Sequence, residues 1–256
     1  MIRVDRPAAE PASLATNRGV RLPALRTHIA TKGSYDADDI TGYESAREPL
    51  FAAQHRKCCY CERNPLLKYQ AVEHYRPKSV YWWLSWDWTN LLFVCQHCNG
   101  NKGDRFPLLG GSVLTPESVP PGTERAGILD PADTATDPLD HIRFRLTPRG
   151  WVPFPRDGSR RGYETIRACK LDATDLLDAY RSHARMFESS VTRIHRALKT
   201  RDTPTIRSEW EDAATVWLST SQPYTALSRD ILDHHFPRTT RKRYGLTLDL
   251  RPPLTG

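Results

Sequence analysis

The clearest periodicity along the chain lies in its carboxyl-terminal third, where Leu177, Tyr180, Ala184, Phe187, Val191, Ile194 and Leu198 recur every three or four residues. That spacing aligns the apolar side chains in one stripe of an α-helix. Asp172 or Thr174 stands where a cap is needed. Pro204 opens a second helix whose apolar face is Ile206, Trp210, Trp217 and Leu218, and residues 226–235 predict a third. Upstream the period changes. "AVEHY" at 71–75 and "LLFVC" at 91–95 are apolar runs of strand length, and "QHCNGNKGDRF" after the second opens a short helix. Before them, "YESAREPLFAAQH" predicts a helix that starts near Pro49 and ends at Arg56 and Lys57.

The rest of the chain is less regular. Residues 1–42 contain Pro7, Pro11 and Pro23 with little periodicity, and predict an irregular arm lying on the body. Between 108 and 161 Pro and Gly are frequent, and "IRFRLTPRGWVPF" predicts a hairpin turning at 147–150. The resulting α+β organisation has an arm (1–42), a small mixed core (43–108), a connecting region with the hairpin (109–165), a helical lobe (166–236) and a basic tail containing "PRTTRKRYG" (237–256).

Charge narrows the class of partner. Thirty-seven Lys and Arg against 30 Asp and Glu leave the 256 residues at +7, which favours a polyanion, nucleic acid foremost. No apolar run approaches the ~20 residues of a membrane helix. The opening "MIRVDRPAAEPASLA" has no continuous apolar signal core, so the expected location is cytoplasmic, without membrane association. In a reducing compartment, six cysteines point to metal or catalysis rather than to disulfides.

Four of those cysteines form two C-x2-C pairs, Cys58 with Cys61 and Cys95 with Cys98. Each turn lets two thiolates face one ion, and two turns complete a tetrahedral zinc site. A redox pair would need to open a helix in a βαβ unit, which the pattern does not provide. Cys59, adjacent to the first pair, could replace one ligand, and Cys169 lies alone; both read better as buried, inert thiols. Thirty-three residues separate the pairs, more than the roughly 15 to 20 of a common zinc ribbon. Something of consequence is therefore threaded between them.

That insert holds adjacent Glu73 and His74, then "VYWWLSWDWTN" ending at Asn90, with Asn99 directly after Cys98. Glu73 and Asn99 can offer oxygens to a hard cation while His74 stays free as a base. Each also has an ordinary reading: His74 a surface imidazole, Glu73 a partner for Arg76, Asn90 a turn residue, Asn99 a helix cap. Neighbouring strand residues point to opposite faces, so Glu73 and His74 share a site only if the strand ends or twists there. Lys78, Lys102 and Arg105 flank the segment and could hold phosphates or simply be solvated. Trp82, Trp83, Trp86 and Trp88 read as packing around a small zinc module rather than as platforms for bases.

The order C-x2-C, [DE]-H, W-x-N, C-x2-C-[HN]-x2-K resembles the HNH, or ββα-metal, endonuclease family. "CCYCE", "VEHYRPKS", "YWWLSWDWTNLLFVCQHCNGNKGDRFPL" and "YETIRACKLDATDLLDAYR" are similar, more narrowly, to the nuclease subunits of Septu-type anti-phage systems. The likeness spans about residues 45–200 and is dense over 58–108. It implies an α+β fold with a zinc-stabilised HNH core and an appended helical lobe, acting as a one-metal phosphodiesterase. By position, His74 would be the general base, Glu73 and Asn99 would hold Mg2+ or Mn2+, and Asn90 would brace the loop carrying the base. Asn99 stands where histidine is common and Glu73 where aspartate is common. The Septu likeness further implies an ABC- or SMC-type ATPase partner. Two other classes share the four thiolates: a non-catalytic zinc-dependent nucleic-acid-binding module, which needs neither Glu73-His74 nor Asn99, and a protein-interaction zinc module built on the tryptophans.

Overall fold

The computed structural model describes residues 1–66, 71–116 and 118–253. The chain opens with helix α1 (Ala12–Lys32), where the sequence predicts an irregular arm. Residues 1–11 do lie on the body: Val4 N donates to Pro131 O (2.8 Å) and Trp88 Nε1 to Pro7 O (2.8 Å). The helix escapes the pattern because it is mostly exposed. Leu14 alone is buried, Pro23 sits mid-helix, and polar contacts of Asn17 with Gly42 O and Arg21 with Thr41 hold it in place. Helix-favouring Ala, Leu and Arg, not an amphipathic stripe, carry it.

Helix α2 (Arg47–Ala53) starts two residues before Pro49, which falls in the first turn, where proline is tolerated. Strands β1 (Ala71–His74) and β2 (Leu91–Val94) then pair antiparallel, His74 opposite Leu91, and β2 runs directly into α3 (Gln96–Lys102). All four β2 residues are fully buried. Alternation explains why: Leu91 and Phe93 join a core with Leu14, Leu50, Val72, Trp86 and Trp88, while Leu92 and Val94 join a second core with the zinc-pair cysteines and the helical lobe. Trp83, Trp86 and Trp88 are buried, and Trp86 and Trp88 spend their indole N–H groups on Thr41 O and Pro7 O.

The expected hairpin is β3 (Ile142–Thr147) with β4 (Gly150–Pro155), and Gly150 at φ 94° supplies the left-handed turn residue. Helix α4 (Arg160–Cys169), not anticipated, packs beside α3. The lobe continues with α5 (Thr174–Thr200), α6 (Thr203–Trp217) and α7 (Thr225–His235). The N-cap of α5 is Ala173, with no side-chain cap from Asp172 or Thr174. The basic tail expected over 237–256 runs past the described residues; its first part is helix α8 (Arg238–Tyr244).

Two carboxylates tie the lobe to the cysteine turns. Glu62, next to Cys61, accepts from Lys57 Nζ (3.2 Å) and from Ala226 N (3.2 Å) in the first turn of α7. Asp175, in the first turn of α5, pairs with Arg63 (3.1 Å). The small sheet therefore rests against the lobe. Among the described residues, no helix is long and apolar enough to cross a membrane.

Candidate active site and metal centre

Cys58, Cys61, Cys95 and Cys98 converge, their buried Sγ atoms all within 4.8 Å of one another, with Cys61 and Cys95 3.6 Å apart. Tetrahedral zinc at about 2.3 Å from each sulfur sets thiolates roughly 3.8 Å apart, so the donor set fits that ion. Hydrogen bonds from neighbouring thiols pull Cys95 down and push Cys61 and Cys98 up. Gln54 holds the first turn to the sheet by bonding Phe93 N (2.9 Å), Phe93 O (2.7 Å) and Lys57 O (3.1 Å). Cys59 and Cys169 are buried beside the cluster but outside it, and burial pushes both thiols up.

A separate pocket of about 320 Å³ opens along the edge of β1. Glu73, His74, Lys78 and Asn99 line it, with Tyr43 and Asp104. Glu73 and His74 obey strand alternation. Glu73 turns toward α3 and His74 toward Tyr43, whose ring lies edge-on at 4.5 Å. They share the pocket because, among the described residues, β1 pairs with β2 alone and ends at His74, so that both side chains line the space beside it.

His74 is buried, and its Nε2 lies 3.0 Å from the carbonyl of Ser85. A carbonyl only accepts, so Nε2 carries the proton and Nδ1 keeps the lone pair. Burial, aided by Lys78 and Lys102, lowers the imidazole to about 4 against the opposing pull of Ser85 O. The ring is neutral at pH 7. Asn90, also buried, accepts from Arg76 N (2.8 Å) and donates to Arg76 O (3.0 Å) and Leu84 O (3.2 Å). It thereby ties the turn after His74 to the loop that presents Ser85.

The three flanking cations go to different places. Lys78 lines the pocket, its ammonium on Ala37 O (2.5 Å) and over the Tyr43 ring. Lys102, expected with the phosphate-holding cations, is instead fully buried, paired with Glu73 Oε1 and bonded to His74 O (2.9 Å). Its charge is already committed. Arg105 bonds Asn101 O on the surface and faces a different groove, with Glu164 and Arg167. Burial raises the Glu73 carboxyl and Lys102 opposes that shift. Among the described residues no donor reaches Glu73 Oε2, so a carboxylate oxygen and the Asn99 amide remain as oxygen donors that suit a hard divalent cation. Sequence reasoning missed Tyr43, Ser85 O and Asp104. Asp104 lay in the quoted "KGDRF", two residues past Lys102, but the backbone contact of Ser85 leaves no mark in residue type.

This arrangement of two cysteine turns, strand pair and short helix is consistent with an HNH-like zinc-binding fold, and residues 58–105 match the HNH endonuclease family. Two curated relatives extend the likeness. Septu protein PtuB of Bacillus mycoides (strain KBAB4) is 28% identical over 220 residues, covering 78% of this chain and 72% of its own. Septu protein PtuB of Bacillus thuringiensis is 34% identical over 89 residues, covering 32% of this chain and 35% of its own. The chain thus carries an HNH endonuclease domain and is homologous to Septu PtuB proteins, which supports a nuclease role in defence.

Proposed function

We propose that the protein is a metal-dependent endonuclease that hydrolyses phosphodiester bonds of nucleic acid, DNA foremost and RNA as the other candidate. It acts in the cytoplasm as the effector of an anti-phage system, controlled by an ABC- or SMC-type ATPase partner. The observation that carries the chemistry is His74: neutral, fixed through Nε2, and lining one pocket with the Glu73 carboxylate and Asn99. The defence role is supported by homology to the Septu proteins.

In this reading Nδ1 of His74 takes the proton from an attacking water, a role open to it because burial keeps the ring unprotonated. Asn90 and Ser85 O act one step back, fixing the ring and its tautomer. Lys78 meets a phosphate at the pocket rim. Glu73 and Asn99 would hold Mg2+ or Mn2+, which supplies charge to stabilise the scissile phosphate and the departing 3′ oxygen. The zinc of the four cysteines is scaffold only.

The test compares wild type with His74→Ala, matched for zinc content and circular dichroism, on plasmid DNA and on RNA with Mg2+ or Mn2+. Loss of the general base should cost roughly 10²- to 10⁴-fold in cleavage rate, with nucleic-acid binding retained. Equal cleavage by both proteins would remove His74 from the chemistry. Co-purification with the product of a neighbouring gene tests the ATPase partner.

A further inference from the structure

The basic segment near the carboxyl end has no part in the pocket around His74, yet it is not a loose tail. Helix α8 carries Arg238, Arg241, Lys242 and Arg243, and the chain beyond it folds back through Gly245 at φ 70°, a conformation that favours glycine. Tyr244, Leu246 and Leu248 are buried as anchors. Arg207 Nε on Tyr244 O (2.9 Å) and Trp210 Nε1 on Thr247 O (3.1 Å) pin the segment to α6.

Docked in this way, it walls a groove of about 620 Å³. Three separate stretches deliver cations to it: Arg156 from the end of β4, Arg229 from α7, and Arg238, Arg241 and Lys242 from α8. Among the described residues, Asp233 and Asp249 are the carboxylates in its lining. Arg241 is paired with Asp233, Arg229 with Asp230 (3.8 Å) and Arg156 with Asp157 (3.9 Å), whereas Arg238 and Lys242 are exposed and, among the described residues, form no ion pair.

We propose that this groove is a second nucleic-acid-binding surface, one that grips the phosphodiester backbone without reading bases. The identity of the polyanion rests on the nuclease reading; the charge convergence does not. Four of the five cations are arginines, whose forked donors match phosphate oxygens. The apolar lining residues Leu246 and Leu248 are buried, which among the described residues leaves the groove no exposed aliphatic or aromatic anchor of the kind a protein partner uses. Cations held on docked elements also lose less freedom on binding than those of a flexible tail.

The experiment measures fluorescence anisotropy of a labelled DNA duplex and of RNA of the same sequence. The full-length protein carries His74→Ala so that the probes stay intact, and salt is varied. Each phosphate contact contributes about 0.9 to the slope of log affinity against log salt, so Arg238→Glu with Lys242→Glu should lower that slope by roughly 2. Affinity should fall at least about tenfold at moderate salt. Arg238→Gln with Lys242→Gln removes the same two contacts and should lower the slope by a similar amount and the affinity by less, with circular dichroism and zinc content unchanged, which separates charge from folding. Unchanged affinity and slope would overturn the proposal. So would a parent protein that binds neither probe, or a reversal that weakens only a protein partner's binding. Cleavage by wild type alongside a reversal without effect removes the groove and keeps the nuclease. Groove-dependent binding by a protein that never cleaves does the opposite.

Discussion

Glu73 is the residue on which the candidate site balances. Its Oε1 accepts from Lys102, whose ammonium is dry and fills its three donor positions with Glu73 Oε1, His74 O and Gly103 O (3.4 Å). The pair joins the end of α3 to the end of β1 and so fixes the strand that carries His74. Lys102→Met leaves a buried carboxylate without its countercharge and should cost about 3 to 5 kcal/mol, read from guanidinium unfolding at pH 7 with zinc present. Adding Glu73→Gln should restore most of that loss, because the amide needs no cation. A Lys102→Met protein as stable as its parent would mean that the pair does not form in solution. The sequence placed Lys102 among phosphate ligands because lysines are ordinarily solvated. A signal was nevertheless present: Lys102 follows Cys98 by four residues, on the same helical face as a metal ligand. The acceptors of His74 and Asn90 were not legible, since both side chains bond backbone atoms whose positions depend on the folded loop.

At the scale of elements, what could be read from the chain was what burial patterns strongly. β2 is apolar throughout because each face meets its own core, and α5 keeps its stripe because one side alone is buried. α1 and α8 were hidden for a shared reason: each buries few side chains, so periodicity has little to act on. The second cysteine turn sits where β2 meets α3 and the first follows α2; joined at one cluster, they carry much of the small sheet's stability, since two four-residue strands bury little by themselves. Cys95→Ser removes a ligand at that junction. The purified variant should lose its bound zinc by elemental analysis, and its thermal melt should match that of chelator-treated wild type. A variant that keeps its melting temperature with no zinc bound would deny the cluster its scaffold role.

For the molecule as a whole, acid sensitivity reports how its parts are buried. His74 in the sheet and His183 in the lobe are both lowered to about 4 by burial. His183 sits between Trp217 and Tyr224 with Nε2 2.8 Å from Ser228 Oγ. A histidine whose folded pKa lies below its unfolded value of about 6.5 binds more protons when unfolded, so its contribution is full above that value and is lost as pH falls toward 4. Linkage puts the loss between pH 7 and pH 5 at about 2 kcal/mol for each. Asp230, raised to about 6 by burial, works in the opposite direction, since its folded form takes up the proton first. It offsets roughly 1 kcal/mol over that window. Glu62, lowered to about 2 through its cationic partners against the penalty of burial, loses its contribution only below the ordinary carboxylate range and stays outside the window. Glu73 and Asp130, also raised by burial, act in the same direction as Asp230, so the loss carried by the two buried histidines is read at the residue and not from the net change of wild type. His183→Gln keeps a hydrogen-bonding group for Ser228 but does not titrate, so its loss over the same window should be smaller by about 2 kcal/mol. Denaturant midpoints of both proteins at the two pH values provide the check, and parallel losses would place the titrating group elsewhere than His183.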